Sequence, residues 1–342
     1  MKKLLSVLLT VSLSLLTLAG CGSANTSDAS LAENRNDEAV ASADSDEGAV
    51  LRIAAQPYSL FASVYVAHKL GYIEEELDKI GAGYEWIEFG SGPLVNEAVA
   101  AGEADTGFMA DLPAIIAKSS GQDIEVVSGL GYGEKSTAVL VSPDSDIKSI
   151  ADLKGKKIAY IVGSYNQHLL ALLLNQEGLT LDDVETINLT NADHATVLSN
   201  GDVDASVTCE PFISKFTSEG TAQVLADGTG IKKSNMVNYF VKSYAEEHPL
   251  VVEAYIRALD RADEYIAENP TEAAELTAED FGVDAELNEK VMSNMVFTTD
   301  LTDEDINEIE SVKDFSLEYD IIQNDFDIND FVTTEYLEAV NE

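Results

Sequence analysis

The hydrophobic pattern of the first half of the chain alternates short apolar runs with stretches of helical character. The predicted strands are 51–55, 84–89, 106–109, 124–129 and 137–142, and the predicted helices are 60–70, 94–101 and 113–119. Glycines follow several of these helices, as Gly71 and Gly102 do. Strands and helices that alternate in this way are typical of a parallel sheet with helices on both faces. The pattern therefore predicts an α/β fold.

The same alternation starts again near residue 157. Its predicted strands are 157–162, 184–189, 205–208 and 222–226, and its predicted helices are 167–176, 192–199 and 212–218. A strand at 238–242 is predicted to return to the first half of the fold. Beyond Glu246 the chain is almost wholly helical in pattern, and residues such as Ile306, Ile309 and Val312 recur at three-residue steps, the spacing of one helix face.

A short internal repeat links the two halves. The stretch 102–105 (Gly-Glu-Ala-Asp) closes a helix and opens a strand, and 201–204 (Gly-Asp-Val-Asp) does the same. The repeat predicts two α/β lobes with a ligand cleft between them and two crossings, near 137–143 and 236–244. The alternative is coincidence among common turn residues. We assign 51–141 plus 244–342 to lobe 1 and 142–243 to lobe 2.

The N-terminal segment has the charge, length and ending of a secretion signal. Lys2 and Lys3 precede an apolar run over 4–18, and the small residues Ala19 and Gly20 lead to Cys21. About 20 apolar residues are needed to span a bilayer, so a transmembrane helix is the weaker interpretation. The segment resembles a bacterial lipoprotein signal, which implies cleavage after residue 20 and a lipid on Cys21. Residues 21–50 then form a disordered tether because they contain few large apolar residues.

The composition narrows the range of partners. The chain carries 62 acidic and 20 basic residues, a net charge of −42. Such a surface repels nucleic acid and does not adhere to anionic lipid through a basic face. The cysteines are Cys21 and Cys209, and if Cys21 carries lipid no intramolecular disulfide can form.

Ligands of open α/β sheets bind beyond the carboxyl ends of the strands. Several loops at these ends combine small residues and hydroxyls with a following helix, whose first N–H groups can bind an anion or a polar oxygen. Gly163 and Ser164 are the strongest of these candidates, although each loop alone is also consistent with an ordinary helix cap. The predicted ligand-binding residues are Gln56, Tyr58, Ser91, Gly92, Asp111, Ser136, Gly163, Ser164, Tyr165, Asn166, Asp193, Glu210 and Phe212. No metal site and no cofactor are predicted.

Five segments in a fixed order carry a family resemblance. They are 53–56 (Ile-Ala-Ala-Gln), 86–93 (Trp-Ile-Glu-Phe-Gly-Ser-Gly-Pro), 101–108 (Ala-Gly-Glu-Ala-Asp-Thr-Gly-Phe), 150–159 (Ile-Ala-Asp-Leu-Lys-Gly-Lys-Lys-Ile-Ala) and 201–205 (Gly-Asp-Val-Asp-Ala). With them, residues 51–342 resemble the solute receptors of ABC transporters, above all the sulfonate, taurine and nitrate binders, with the thiamine-pyrimidine binders as cousins. The late loop of that family reads Trp-acid-Pro-aromatic, whereas this chain has Cys209 at the first position. A ligand-stacking wall is therefore missing.

The resemblance implies a two-lobed periplasmic-binding-protein fold of type II. It further implies a monomer on the extracytoplasmic face of the cell membrane that captures a small sulfonate or taurine-like solute and delivers it to permease subunits. Nitrate and a thiamine-pyrimidine precursor are the alternative ligands. The resemblance implies no enzymatic activity.

The charges of the predicted cleft loops favour one kind of ligand. The loops contain four acidic residues and one basic residue, namely Asp111, Glu134, Asp193 and Glu210 and, as the base, Lys135. A ligand with a positive or hydrogen-donating end fits them, such as an aminosulfonate with its sulfonate at 163–164 and its amine at Glu210 or Asp193. The alternative is that these acids face solvent or cap helices.

Two other functions are weaker interpretations. An enzyme would need a nucleophile or metal-ligand pattern, and none of the four histidines lies in one. Cys209 as a nucleophile competes with the commoner role of a buried bystander thiol. An adhesin or structural lipoprotein would share the anchor and the acidity but would not need two cleft-forming lobes.

Overall fold

A computed structural model describes residues 46–90 and 92–342 of the chain. The predicted leader, the lipid-carrying Cys21, most of the predicted tether and Ser91 lie outside the described residues. Residues 46–50, assigned to the tether, belong to the folded part: Gly48 N donates to Gly81 O at 2.9 Å, and the first strand begins at Val50. Within the described range, no helix combines the length and the apolar character that a membrane span requires.

The first sheet runs in the order β2-β1-β3-β10-β4. Its strands are β1 (Val50–Ala55), β2 (Gly83–Glu88), β3 (Thr106–Ala110), β4 (Ile124–Tyr132) and β10 (Asn235–Val241). Strand β1 pairs parallel with β2 and β3, whereas β10 pairs antiparallel with both β3 and β4. The last strand in the chain is thus inserted near the middle of a sheet built from the first four.

The second sheet repeats this arrangement in the order β7-β6-β8-β5-β9. Its strands are β5 (Thr137–Val141), β6 (Lys157–Tyr160), β7 (Glu185–Asn188), β8 (Ala205–Cys209) and β9 (Gln223–Asp227). Strand β6 pairs parallel with β7 and β8, and β5 pairs antiparallel with β8 and β9. The two lobes share one plan, as the sequence repeat predicts.

Helices surround both sheets. They are α1 (Ala62–Lys69), α2 (Tyr72–Asp78), α3 (Gly92–Ala100), α4 (Asp111–Ser119), α5 (Tyr165–Gln176), α6 (His194–Asn200), α7 (Phe212–Ser218), α8 (Lys242–Glu247), α9 (Pro249–Glu268), α10 (Pro270–Phe281), α11 (Ala285–Met292), α12 (Asp303–Glu318) and α13 (Glu335–Asn341). In the second lobe, Val139 and Val141 of β5 pack in the same cluster as leucines of α5. Ala138 and Leu140 pack in a second cluster with residues of α6 and α7. This alternation places helices on both faces of the sheet, because successive strand residues point to opposite faces.

The α/β class is confirmed, but two details of the sequence-based prediction need correction. The sheets are mixed rather than parallel, and the lobe boundaries lie elsewhere. Strand β5, assigned to lobe 1, pairs in the second sheet. Strand β10 pairs in the first sheet, as predicted for the strand at 238–242, although the boundary at residue 243 assigns it to lobe 2. A buried strand has the same apolar pattern in either sheet and in either direction, so the pattern does not reveal its partner. The crossings therefore lie at 133–136 and 228–234.

The two crossing segments are bonded to each other. Gly133 N donates to Lys233 O, and Gly228 N donates to Glu134 O, both at 2.9 Å. Gly228 must be a glycine here, because a Cβ at that position would lie 2.5 Å from Glu134 O. The lobes are thus joined by a short two-stranded connection.

A buried carboxylate in lobe 1 gives a first testable prediction. Asp263 of α9 accepts a hydrogen bond from Ser63 Oγ, and its other oxygen, Oδ2, is buried without a donor among the described residues. Burial, reinforced by Asp260 and Asp300, raises the pKa of Asp263 to about 7. The pKa of Asp263 is higher in the folded protein than in the unfolded chain. The stability that this difference provides is fully present below the unfolded pKa and is lost as the pH rises through 7. At pH 8 Asp263→Asn should raise the free energy of unfolding by about 2–4 kcal/mol.

Urea unfolding at pH 5 and pH 8 measures this effect. The parent chain should lose more stability between these pH values than the Asp263→Asn variant. The neighbouring Glu264 is exposed, and Glu264→Gln serves as the control that keeps the parent pH dependence. Equal pH dependence in the parent and in Asp263→Asn would show that ionisation of Asp263 does not lower the free energy of unfolding.

Candidate functional site: a cleft between the two sheets

A cleft of about 590 Å³ lies between the two lobes. Residues just beyond the carboxyl ends of β1, β3, β6 and β8 line it, together with residues of α3 and α4. The lining consists of Gln56, Tyr58, Leu60, Phe61, Gly92, Pro93, Asn96, Met109, Ala110, Pro113, Ile116, Ala117, Ser120, Gln122, Ile161, Gly163, Ser164, Tyr165, Asn191, Cys209, Glu210, Phe212 and Met236. The cleft therefore lies where ligands of open α/β sheets bind, and it has the volume of a small-molecule pocket.

The structure brings together eight of the predicted ligand-binding residues. Gln56, Tyr58, Gly92, Gly163, Ser164, Tyr165, Glu210 and Phe212 all line the cleft. Asp111, Ser136, Asn166 and Asp193 lie nearby in the chain but outside the lining. Because the backbone carries side chains to opposite sides at each strand end, a loop that borders the cleft contributes only some of its residues.

The start of α5 forms part of the cleft wall. Ser164 is the N-cap residue in an extended conformation, with φ −113° and ψ 163°, and its Oγ donates to Ile161 O at 2.6 Å. Gly163 has a φ of 77°, which favours glycine, and a Cβ there would meet no atom within 4 Å. The first N–H groups of a helix have no intrahelical acceptor, and the helix dipole favours an anion at this end. Gly163 N already donates to Gln167 Oε1 at 2.8 Å, so the N–H groups of Ser164, Tyr165 and Asn166 are the ones that can hold an anionic head group at this end of the helix.

A thiol lies beside this helix start. Asn191 Nδ2 donates to Cys209 Sγ at 3.2 Å. Burial raises the pKa of Cys209 to about 11, and burial also raises the pKa of Tyr165 well above its usual value. Both groups are therefore uncharged at neutral pH. A neutral thiol is a weak nucleophile, so Cys209 forms part of the wall of a binding site.

Glu210 borders the cleft, but its carboxylate is already engaged. Its side chain accepts from Ser214 Oγ at 2.8 Å, from Ser214 N at 3.0 Å and from Asn294 Nδ2 at 2.9 Å. Burial raises its pKa, and these hydrogen bonds oppose the rise. Asn294 follows α11 in lobe 1, so this contact also ties the two lobes together.

The other carboxylates of the predicted loops have internal partners as well. Asp111 Oδ2 lies 3.4 Å from Lys232 Nζ, and both side chains are fully buried. Asp193 accepts from Thr190 Oγ1 at 2.7 Å, and Glu134 accepts from Gly230 N at 3.1 Å. The alternative, that these acids face solvent or cap helices, agrees with Asp193, which is exposed, and with Glu210, which accepts from Ser214 N at the start of α7, whereas Asp111 is buried in an ion pair.

The apolar part of the wall was missed by sequence reasoning. Leu60, Phe61, Met109, Ile116 and Met236 face the cleft. In the sequence these residues are indistinguishable from core positions, because they lie at the ends of apolar runs. Their place directly after or beside predicted strand ends is the only signal that could have indicated them.

Two α/β lobes joined by two crossings around a small-molecule cleft define a two-lobed solute-binding protein of the periplasmic-binding-protein fold. The comparisons with known proteins agree. The family model described as NMT1/THI5 like matches residues 59–273, and the chain belongs to this family.

Several relatives are named as binding proteins. An aliphatic sulfonates-binding protein of Escherichia coli (strain K12) is 32% identical over 72% of this chain and 76% of its own length. One of the same name from Bacillus subtilis (strain 168) is 29% identical over 100% of this chain and 98% of its own. Among solved structures, the periplasmic aliphatic sulphonate binding protein SsuA from Escherichia coli superposes with a TM-score of 0.76 and 27% identity, over 83% of this chain and 92% of that one.

Proposed function

We propose that this chain is the extracytoplasmic binding component of an ABC importer that captures an organosulfonate and delivers it to a membrane permease. One observation carries the proposal: the start of α5, with Gly163 and Ser164, faces a cleft whose remaining wall is largely apolar. A sulfonate has one anionic end and one carbon end, and this cleft offers one subsite for each. The names of the relatives support the same ligand class.

Within this class, an uncharged carbon tail fits better than an amine. Glu210 and Asp193, the carboxylates predicted to bind an amine, already accept hydrogen bonds from Ser214 and Thr190. An amine placed against them would have to displace these partners. The contacts it gained would not offset the free energy that it costs to remove the amine from water. We therefore rank a simple alkanesulfonate above taurine. Nitrate ranks lower still, because it would leave most of a cleft of about 590 Å³ unfilled.

Ligand capture is proposed to close the lobes about the crossings at 133–136 and 228–234. In this description lobe 1 holds β1 to β4 and β10 with the C-terminal helices, and lobe 2 holds β5 to β9. We also propose that residues 1–20 are removed, that Cys21 carries the lipid and that the segment after it is a tether. The protein is then a monomer at the outer face of the membrane. The predicted ligand contacts outside the cleft lining, including Ser136 and Asn166, stay predictions.

Thermal unfolding with a panel of small molecules tests the proposal. A ligand that binds only the folded state stabilises it by about 2.7 kcal/mol at a hundred times its Kd. We expect the largest rise in Tm with an alkanesulfonate such as pentanesulfonate, a smaller rise with taurine, and no change with nitrate or an aminopyrimidine. Pentylamine is the matched control, since it keeps the tail and reverses the head charge. A rise only with nitrate, the pyrimidine or the amine would contradict the proposed ligand class.

A further inference from the structure

One arm of the cleft runs along helix α4. Pro113, Ile116, Ala117 and Ser120 all line it, and their spacing of three and four residues places them on one face of the helix. From the first to the last of these residues the helix rises about 10 Å. The cleft is therefore longer in this direction than a compact head group needs.

Helix α3 forms the opposite side of this arm. Gly92, Pro93 and Asn96 line it there, and Gln122 lines its far end. Ser120 is exposed, so the arm reaches the protein surface instead of ending in the core. We define the surface between Pro113 and Gln122 on one side and Gly92 and Asn96 on the other as the α3–α4 groove.

A single asparagine keeps the two walls of the groove at a fixed separation. Asn96 Nδ2 donates to Pro113 O at 3.2 Å, and its Oδ1 accepts from Tyr239 Oη at 2.9 Å. Its backbone carbonyl accepts from Gln122 Nε2 at 3.3 Å. Because its side-chain amide and its carbonyl are all engaged within the protein, Asn96 braces the groove without offering these groups to a ligand.

The glycine at 107 makes this brace possible. A Cβ at Gly107 would lie 2.7 Å from Val95 Cγ1 and 2.9 Å from Tyr239 Oη. The tyrosine hydroxyl can reach Asn96 only across this position. The α3–α4 groove is thus a preformed feature with dedicated support, and it is continuous with the cleft that contains the start of α5.

We infer that the α3–α4 groove binds the tail of the ligand, and that the protein selects sulfonates with long, uncharged hydrocarbon tails. This inference rests on the proposed function, because the head group must be held at Gly163 and Ser164 for the tail to enter the groove. A hydrocarbon tail that enters the groove leaves water and contacts Pro113, Ile116 and Ala117. Burial of a methylene group strengthens binding about threefold to fourfold. Because the groove opens at Ser120, long tails are accepted and their outer carbons contribute nothing.

A series of linear alkanesulfonates from ethane- to decanesulfonate, kept below micelle-forming concentrations, tests the inference by calorimetry. We expect Kd to fall about threefold to fourfold with each methylene and then to reach a plateau. In Ile116→Asn the fall should be much smaller, because a polar side chain then lies where the tail carbons are buried. Leu94→Asn is the matched control: Leu94 is an exposed apolar residue of α3 outside the cleft lining, so the full chain-length dependence should remain.

The outcomes separate this inference from the proposed function. If all sulfonates bind with the same Kd, the long-tail inference is wrong and the proposed function stands. If none binds, the proposed function itself fails. Equal losses of chain-length dependence in Ile116→Asn and Leu94→Asn would also overturn the inference. Should Ile116→Asn fail to fold, Ile116→Thr keeps the branched shape, and a chain-length dependence equal to that of the parent would count against the groove.

Discussion

Lys232→Met is expected to lower the free energy of unfolding by about 3–5 kcal/mol, because it leaves a buried charge without its partner. Lys232 lies in the second crossing, and its Nζ is 3.4 Å from Asp111 Oδ2 and 3.9 Å from Glu308 Oε1. The side chains of Lys232 and Asp111 are fully buried. The pair also joins the hinge to the start of α4, so its loss should weaken the connection between lobes. Urea denaturation at pH 7 measures the loss.

A double variant distinguishes charge from packing. Lys232→Met combined with Asp111→Asn removes both charges, and it should recover much of the lost stability because no uncompensated ion then remains in this pair. Lys157→Met is the control, since Lys157 and Glu185 form an exposed pair at 3.8 Å. Exposed pairs contribute about 0–1 kcal/mol. If the double variant is as unstable as Lys232→Met, packing of the lysine stem and not the ion pair holds the crossing.

Ser164→Asp is expected to weaken sulfonate binding by about 2–4 kcal/mol and to lower the stability of the fold by only about 1 kcal/mol. Two like charges about 4 Å apart near a protein surface repel by about 4 kcal/mol, and relaxation reduces that figure. Aspartate is as good an N-cap residue as serine, so α5 should keep its start. The small loss of stability comes from the bond that Ser164 Oγ donates to Ile161 O, because a carboxylate cannot donate it. Calorimetry with pentanesulfonate and thermal unfolding of the free protein measure the two effects separately.

Ser164→Asn provides the matched control. Asparagine has nearly the size of aspartate, carries no charge and is an equally good N-cap residue. Its affinity for the sulfonate should stay within about threefold of the parent value, which corresponds to less than about 0.7 kcal/mol. Equal losses in the two variants would show that shape at position 164 matters and that no anion approaches the start of α5.

Much of the fold could be predicted because its signals are local. The strand predicted at 205–208 is β8, Ala205–Cys209, and the helix predicted at 212–218 is α7. An apolar run of about four to eight residues bounded by turn residues favours a strand, and this signal does not depend on the partners of the strand. The helix after residue 71 escaped prediction: α2 begins directly after Gly71, whose φ of 75° turns the chain into a second helix instead of a loop.

The position of the cleft was also accessible from the sequence. A general rule places ligands at the carboxyl ends of strands, and this rule depends only on the order of strands and helices. Gln56, Gly92 and Gly163 were predicted for this reason, and all three line the cleft. The start of α5 could be identified because a glycine and an N-cap serine before a helix are a local feature.

By itself, then, the sequence determined the α/β class, the repeated lobe plan and the strand ends that form the cleft. The tertiary structure alone decided which sheet β5 joins, which acids have partners inside the protein, and which apolar residues line the cleft. These properties depend on contacts between distant residues, such as Lys232 with Asp111 or Tyr239 with Asn96. The sequence does not show whether an acidic residue or a leucine is buried against a partner or lines the cleft. Its role is set by its neighbours in the folded structure.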